Sequence, residues 1–95
     1  MNNIKVENMF NPDTGRDIPN QFRIYTNRGV IFQSYKTIIA EKIDGKVYLD
    51  KNAWNYSRTT SKWRNIFLNT DTPTTKARIK SGEYILVDLN PEEVA

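Results

Sequence analysis

The spacing of apolar and polar positions changes character twice along this chain. Residues 4–10 read as a short strand, and Asn11-Pro12-Asp13-Thr14-Gly15 then stacks residues that fix φ or tolerate a left-handed backbone, which predicts a loop as far as Asn20. From Gln21 a period of two sets in. Phe22, Ile24 and Thr26 alternate with Arg23 and Tyr25; Asn27-Arg28-Gly29 interrupts; Val30, Phe32 and Ser34 then alternate with Ile31, Gln33 and Tyr35. This is the pattern of a hairpin. A second hairpin is expected over 38–43 and 46–49, joined by Asp44-Gly45, whose glycine suits the positive φ of a two-residue turn. Four antiparallel strands in succession make a meander. Residues 52–56 form a linker in which Trp54 and Tyr56 are expected to close one edge of the core.

Beyond residue 57 the period lengthens to that of a helix. Ser57, Thr59, Thr60 and Ser61 supply side-chain oxygens for the free N–H groups of a helix start, and Trp63, Ile66 and Phe67, with Leu68, form one apolar stripe. A helix is predicted over 58–69, with Arg58, Lys62 and Arg64 together in solvent. Asp71-Thr72-Pro73 ends it, and Pro73 fits the first turn of a shorter helix over 74–80, stopped by Ser81-Gly82. Residues 83–89 carry apolar side chains on both faces, which predicts an interior strand. The fold class expected is α+β: an antiparallel meander sheet with one main and one short helix on a face, closed by a C-terminal strand, in a single domain over 1–95 with a loop-rich segment 1–20 and a frayed tail 91–95.

With 95 residues there is room for one hydrophobic centre, and 38% hydrophobic with 12% aromatic residues is enough to build it. Phe22, Phe32, Trp63 and Phe67 are assigned inward, leaving Tyr25 and Tyr35 as rings for the surface. The chain has neither Cys nor His. That excludes disulfides, thiol nucleophiles, histidine relays and zinc sites of the usual ligands, so the protein is expected not to be an enzyme and to use no cofactor or metal. No apolar run approaches the roughly 20 residues of a membrane span, and the first residues lack the apolar core of a secretory signal, so a cytoplasmic protein is expected.

A net charge of +3 matters less than its distribution. Residues 58–80 hold six bases and one acid, Asp71, whereas residues 81–95 hold four acids and no base. Tyr56, Ser57, Arg58, Thr59, Lys62 and Arg64 at the helix start, with Lys76, Arg78 and Lys80 beyond it, are therefore the candidate binding residues. Free N–H groups, hydroxyls and cations together suit a phosphate. Lys76, Arg78 and Lys80 do not share one helical face, because two positions turn the helix by about 200°. Asp44-Gly45-Lys46 matches the Asp-x-Lys spacing of some metal-dependent nucleases. It straddles a tight turn, however, and reads better as a plain hairpin with a solvated lysine.

Thr14-Gly15-Arg16, Pro19-Asn20-Gln21-Phe22, Phe32-Gln33-Ser34-Tyr35 with Ile38-Ile39-Ala40, Tyr56-Ser57-Arg58-Thr59-Thr60-Ser61-Lys62 with Phe67-Leu68, and Ile79-Lys80-Ser81-Gly82-Glu83-Tyr84 together resemble a family of small uncharacterised proteins of bacteriophages and prophages. The resemblance carries no activity and no assigned residues. It implies nucleic-acid handling or inhibition of a host defence protein or host enzyme as functional classes, with an accessory role in the virion as a third. The expected partner is nucleic acid, met by the basic helix pair, or alternatively a protein of the bacterial host.

Overall fold

The computed structural model describes residues 4–91. Six strands lie in one sheet in chain order: β1 (Lys5–Phe10), β2 (Asp17–Tyr25), β3 (Gly29–Ser34), β4 (Thr37–Ile43), β5 (Lys46–Asp50) and β6 (Tyr84–Val87). The first five form an antiparallel meander, one strand more than the sequence suggested. The loop expected up to Asn20 is shorter than that. Asn11 to Arg16 closes on itself through Asn11 N–H to the Arg16 carbonyl (2.8 Å), and Asp17 already faces Phe10 across the ladder. The register shifts between Asn8 and Phe10, so the stretch of β2 around Pro19, with a left-handed Asn20 (φ 66°), bulges out of the β1 ladder.

Between β5 and β6 run α1 (Arg58–Leu68) and α2 (Thr72–Ser81). The two helices carry the chain back along the sheet, so β6 enters parallel to β5. It is not the interior strand expected from its composition: β6 pairs with β5 alone and ends the sheet. Its apolar side chains serve two sides, Tyr84 buried on the helix side and Ile85 and Val87 half-buried on the other. Both helices match their expected starts and stops within two residues, α2 extending by two residues at its start and one at its end.

The core fills only the side of the sheet that carries the helices. Phe32, Ala40, Leu49 and Tyr84 meet Trp63, Phe67 and Leu68, and the Phe32 and Phe67 rings stack with centroids 5.7 Å apart. A bulge opposite Phe32 and Gln33 turns both Ile39 and Ala40 inward, breaking the alternation of β4. The register of the first hairpin corrects one core assignment. Tyr25 faces Val30, so Arg23 lies opposite Phe32 on the helix side, and Phe22 lies opposite Gln33 on the far side. Arg23 is accommodated because its guanidinium rests 5.3 Å from the centroid of the Phe67 ring. Lys42 stands beside it. It donates from Nζ to the Phe67 carbonyl (2.6 Å), putting a cation at the end of a helix that has no base in its own last turn. Burial first, and the Arg23 charge second, hold the Lys42 pKa below the usual lysine value.

Candidate binding surfaces

The helix start expected to cradle a phosphate spends most of its groups internally. Ser57 caps α1 by accepting from the Thr60 N–H (3.1 Å), the buried Thr60 hydroxyl pairs with Ser34 of β3 (3.1 Å), and Ser61 donates to Asn55 (2.9 Å). Thr59 is left exposed. Tyr56, expected to close the core, is exposed as well, whereas Trp54 is half-buried against the core. That burial also makes Trp54 a poor anchor ring for a partner.

Arg64 is the largest departure. Expected in solvent beside Arg58 and Lys62, its side chain is 0% exposed. Its place in the helix explains why: Thr60, Trp63, Arg64 and Phe67 follow at i, i+3, i+4 and i+7 and all turn inward. Nη1 donates to the Trp54 carbonyl (2.6 Å), Asn55 Oδ1 (3.1 Å) and Ser61 Oγ (3.4 Å), and Nη2 donates to Asn65 Oδ1 (2.7 Å) and Thr72 Oγ1 (2.8 Å). All five acceptors are neutral, and Arg64 forms no ion pair among the described residues. Burial lowers its pKa from the ordinary arginine value, yet it remains a cation. It ties the linker, α1 and α2 together and is withdrawn from any ligand.

Arg78 is withdrawn more gently. It turns back to β6, donating to the Tyr84 hydroxyl (2.9 Å) and pairing with Glu83 at 3.7 Å. Four cations of the helix layer remain in solvent: Arg58 and Lys62 one turn apart on α1, and Lys76 and Lys80 one turn apart on α2. Lys62 rests 4.9 Å from the centroid of its neighbour Trp63. Asp71 is the sole acid in this stretch and caps α2 by accepting from the Thr74 N–H (2.7 Å). Hydrogen bonds from Thr74 hold the Asp71 carboxyl below the usual aspartate value of 3.8. Because the folded pKa lies below the unfolded one, the cap stabilises fully above the unfolded value and its contribution disappears as pH falls through the folded one. Asp71→Ala is therefore expected to lower the melting temperature by a constant amount near neutral pH, and the gap from wild type is expected to narrow below the usual aspartate pKa and to close only below the depressed folded value.

An acidic tail, residues 81–95, follows these cations in the chain. Of its four acids, Glu83 meets Arg78, Asp88 accepts from the Asn90 N–H, and Glu92 and Glu93 lie outside the described residues. At the other turn of interest, Asp44 and Gly45 both have positive φ (49° and 77°), as a primed hairpin turn requires, and Asp44 and Lys46 project into solvent. Among the described residues no three potential metal ligands gather, and no helix is long and apolar enough to cross a membrane.

A hollow of about 510 Å³ opens between the linker and the chain after β6, lined by residues that include Asp50, Tyr56, Asp88 and Asn90. Its polar groups serve the fold. Asp50 accepts from the N–H groups of Asn52, Ala53 and Leu89, and the Asn90 amide brackets the backbone of Ile38 at 2.8 Å on both sides.

The far side of the sheet is different. Reading across the ladders, Val6, Ile24, Ile31, Glu41, Tyr48 and Ile85 stand in one row over all six strands, with Phe22, Gln33 and Ile38 in the next. No described helix covers them, since both helices pack on the core side. Val6 is 57% exposed, and Phe22, Ile24, Ile31, Ile38, Tyr48 and Ile85 are all half-buried, none belonging to the core. The signal for this face was present in the chain: Val30-Ile31-Phe32 and Ile38-Ile39 are apolar on consecutive positions, which supplies both faces of a strand. A family model described as a family of unknown function (DUF8033) matches residues 4–85, which takes in both surfaces almost entirely. No curated protein and no solved structure matches the chain.

Proposed function

The chain belongs to the DUF8033 family, to which no activity is attached, and from that premise we propose that it is a non-enzymatic binding protein that docks on another protein through the uncovered face of its sheet. The observation that supports this reading is the row opposite the helices, apolar on five of the six strands and interrupted by Glu41 on β4. Contiguous apolar surface of that kind marks interaction sites rather than ordinary exposed residues. The partner class comes from the resemblance to phage proteins: a host protein, such as a defence protein or an enzyme, blocked by occupation of its surface.

Nucleic-acid binding stands as a second reading, favoured by the four exposed cations Arg58, Lys62, Lys76 and Lys80. It is weaker than the sequence suggested, because Arg64 and Arg78 are engaged within the fold.

Two variants separate the readings: Ile24→Asp with Ile31→Asp on the sheet, and alanine at the four exposed cations. In affinity capture from nuclease-treated bacterial lysate at high salt, a stoichiometric protein is expected on wild type and on the helix variant, and is expected to be absent from the sheet variant. The reading fails if no protein survives those conditions while oligonucleotides bind at low salt with a salt slope that drops by about one unit per cation removed.

A further inference from the structure

Glu41 occupies the middle of the apolar row, between Ile31 of β3 and Tyr48 of β5. It is 9% exposed, and its carboxylate makes no hydrogen bond or ion pair with any described residue. Lys46, diagonal to it across the β4–β5 ladder, is exposed and forms no ion pair with it. A nearly buried carboxylate without a partner is tolerable only while its tip reaches water through the open face. Any molecule that covers the face removes that water, so a purely apolar cover leaves a bare charge in a dry interface.

Resting on the docking role proposed for this face, we propose that Glu41 selects its occupant: an amphipathic helix of a different protein, carrying one Arg or Lys within its apolar stripe to meet the carboxylate. Charge complementarity fixes the cation. The dimensions fit a helix. Six strands at about 4.8 Å spacing put the outer two roughly 24 Å apart, the length of about 16 helical residues. A helix here also gives the sheet the second covering layer that it has on its other side. A second copy of this chain fits poorly, because a two-fold axis along the row sets Glu41 against Glu41 and one along the strands sets it against Ile31, so neither brings a donor to the carboxylate. The carboxylate thus admits a partner that brings a donor and rejects one that offers only apolar surface, including the protein itself.

The test uses the full chain and a displayed library of single amphipathic helices, selected separately on wild type, Glu41→Val and Ile31→Asp. Binders won on wild type are expected to carry Arg or Lys in the apolar stripe, to lose at least about tenfold in affinity on Glu41→Gln, and to fail on Ile31→Asp. Binders won on Glu41→Val are expected to lack the cation. In sedimentation, wild type stays monomeric and Glu41→Val self-associates. If wild-type binders need Ile31 but carry no cation and ignore Glu41→Gln, the selection by Glu41 is wrong while the docking face stands. If helices bind equally well to Ile31→Asp, the docking face is wrong too. Dimerisation of wild type through this face, lost in Ile31→Asp, overturns the choice of a different protein as occupant.

Discussion

Replacing Arg64 by Met is expected to destabilise the protein by about 3–5 kcal/mol, although the substitution keeps the length and apolar stem of the side chain. The loss comes from what Arg64 leaves behind. The Trp54 carbonyl, the Asn55, Ser61 and Asn65 side chains and Thr72 each lose a donor, and several of them stay at least half-buried. The same network holds the linker to both helices, so its loss also weakens the tie between α1 and α2, where Asn65 Nδ2 still donates to Thr72 Oγ1 (3.2 Å). Against a total of roughly 5–14 kcal/mol for a chain of this length, that is a large share. Arg64→Lys retains the charge but replaces a planar fork reaching five acceptors with a single point donor, and is expected to recover less than half of the loss. Arg58→Ala, exposed on the opposite side of α1, is expected to change stability by less than about 0.5 kcal/mol. Denaturant unfolding followed by tryptophan fluorescence measures all three, since Trp54 lies 5.2 Å from the Arg64 guanidinium. A midpoint for Arg64→Met equal to that of wild type would show that the network is dispensable.

Arg64 also shows where sequence reading stops. The helix itself was legible, from Ser57 as cap to the stripe of Trp63 and Phe67, because those signals are local. The position of Arg64 in that stripe was legible too, four residues after Thr60 and three before Phe67. What the pattern could not contain was the set of oxygens waiting for it, contributed by residues from 54 to 72 that only the folded linker and α2 bring together. A basic residue on a helix is ordinarily solvated, so the local prior pointed outward and tertiary structure overruled it. Phe22 fails for a related reason. Alternation in 22–26 states which residues share a face but not which face is covered, and that choice was made by the Tyr25–Val30 register and the position of α1. Both faces of β3 are apolar, so the far face of the sheet was missed as a surface although each of its residues was visible. The parallel entry of β6 depends on the path of two helices, which no single segment encodes.

Gly29→Ala is the other substitution with a large expected effect, and the reason is a backbone approach rather than a turn. The sequence placed Gly29 in the interruption between two strands. In the fold it opens β3, opposite Ile43, with Thr26 accepting and donating around it to close the hairpin. Its φ is not among the positive ones, so alanine meets no conformational strain there. A Cβ at this position, however, runs into the Lys42 carbonyl, with the Ile43 Cα at 3.3 Å behind it. Backbone atoms cannot rotate away as a side chain can, so β4 must shift relative to β3. That shift carries Lys42 with it and draws Nζ off the Phe67 carbonyl, which removes the cation at the end of α1 and disturbs the packing of the Phe67 ring. Overpacking of this kind costs about 3 kcal/mol. The expected signature is therefore in two places: a lower unfolding midpoint, and faster amide exchange both along the β3–β4 ladder and at the C-terminal turn of α1. Lys42→Met isolates the second part, loosening the end of α1 without moving the strands. If Gly29→Ala speeds exchange in the hairpin turn alone and leaves α1 protected, the mechanical link from Gly29 through Lys42 to the helix is refuted.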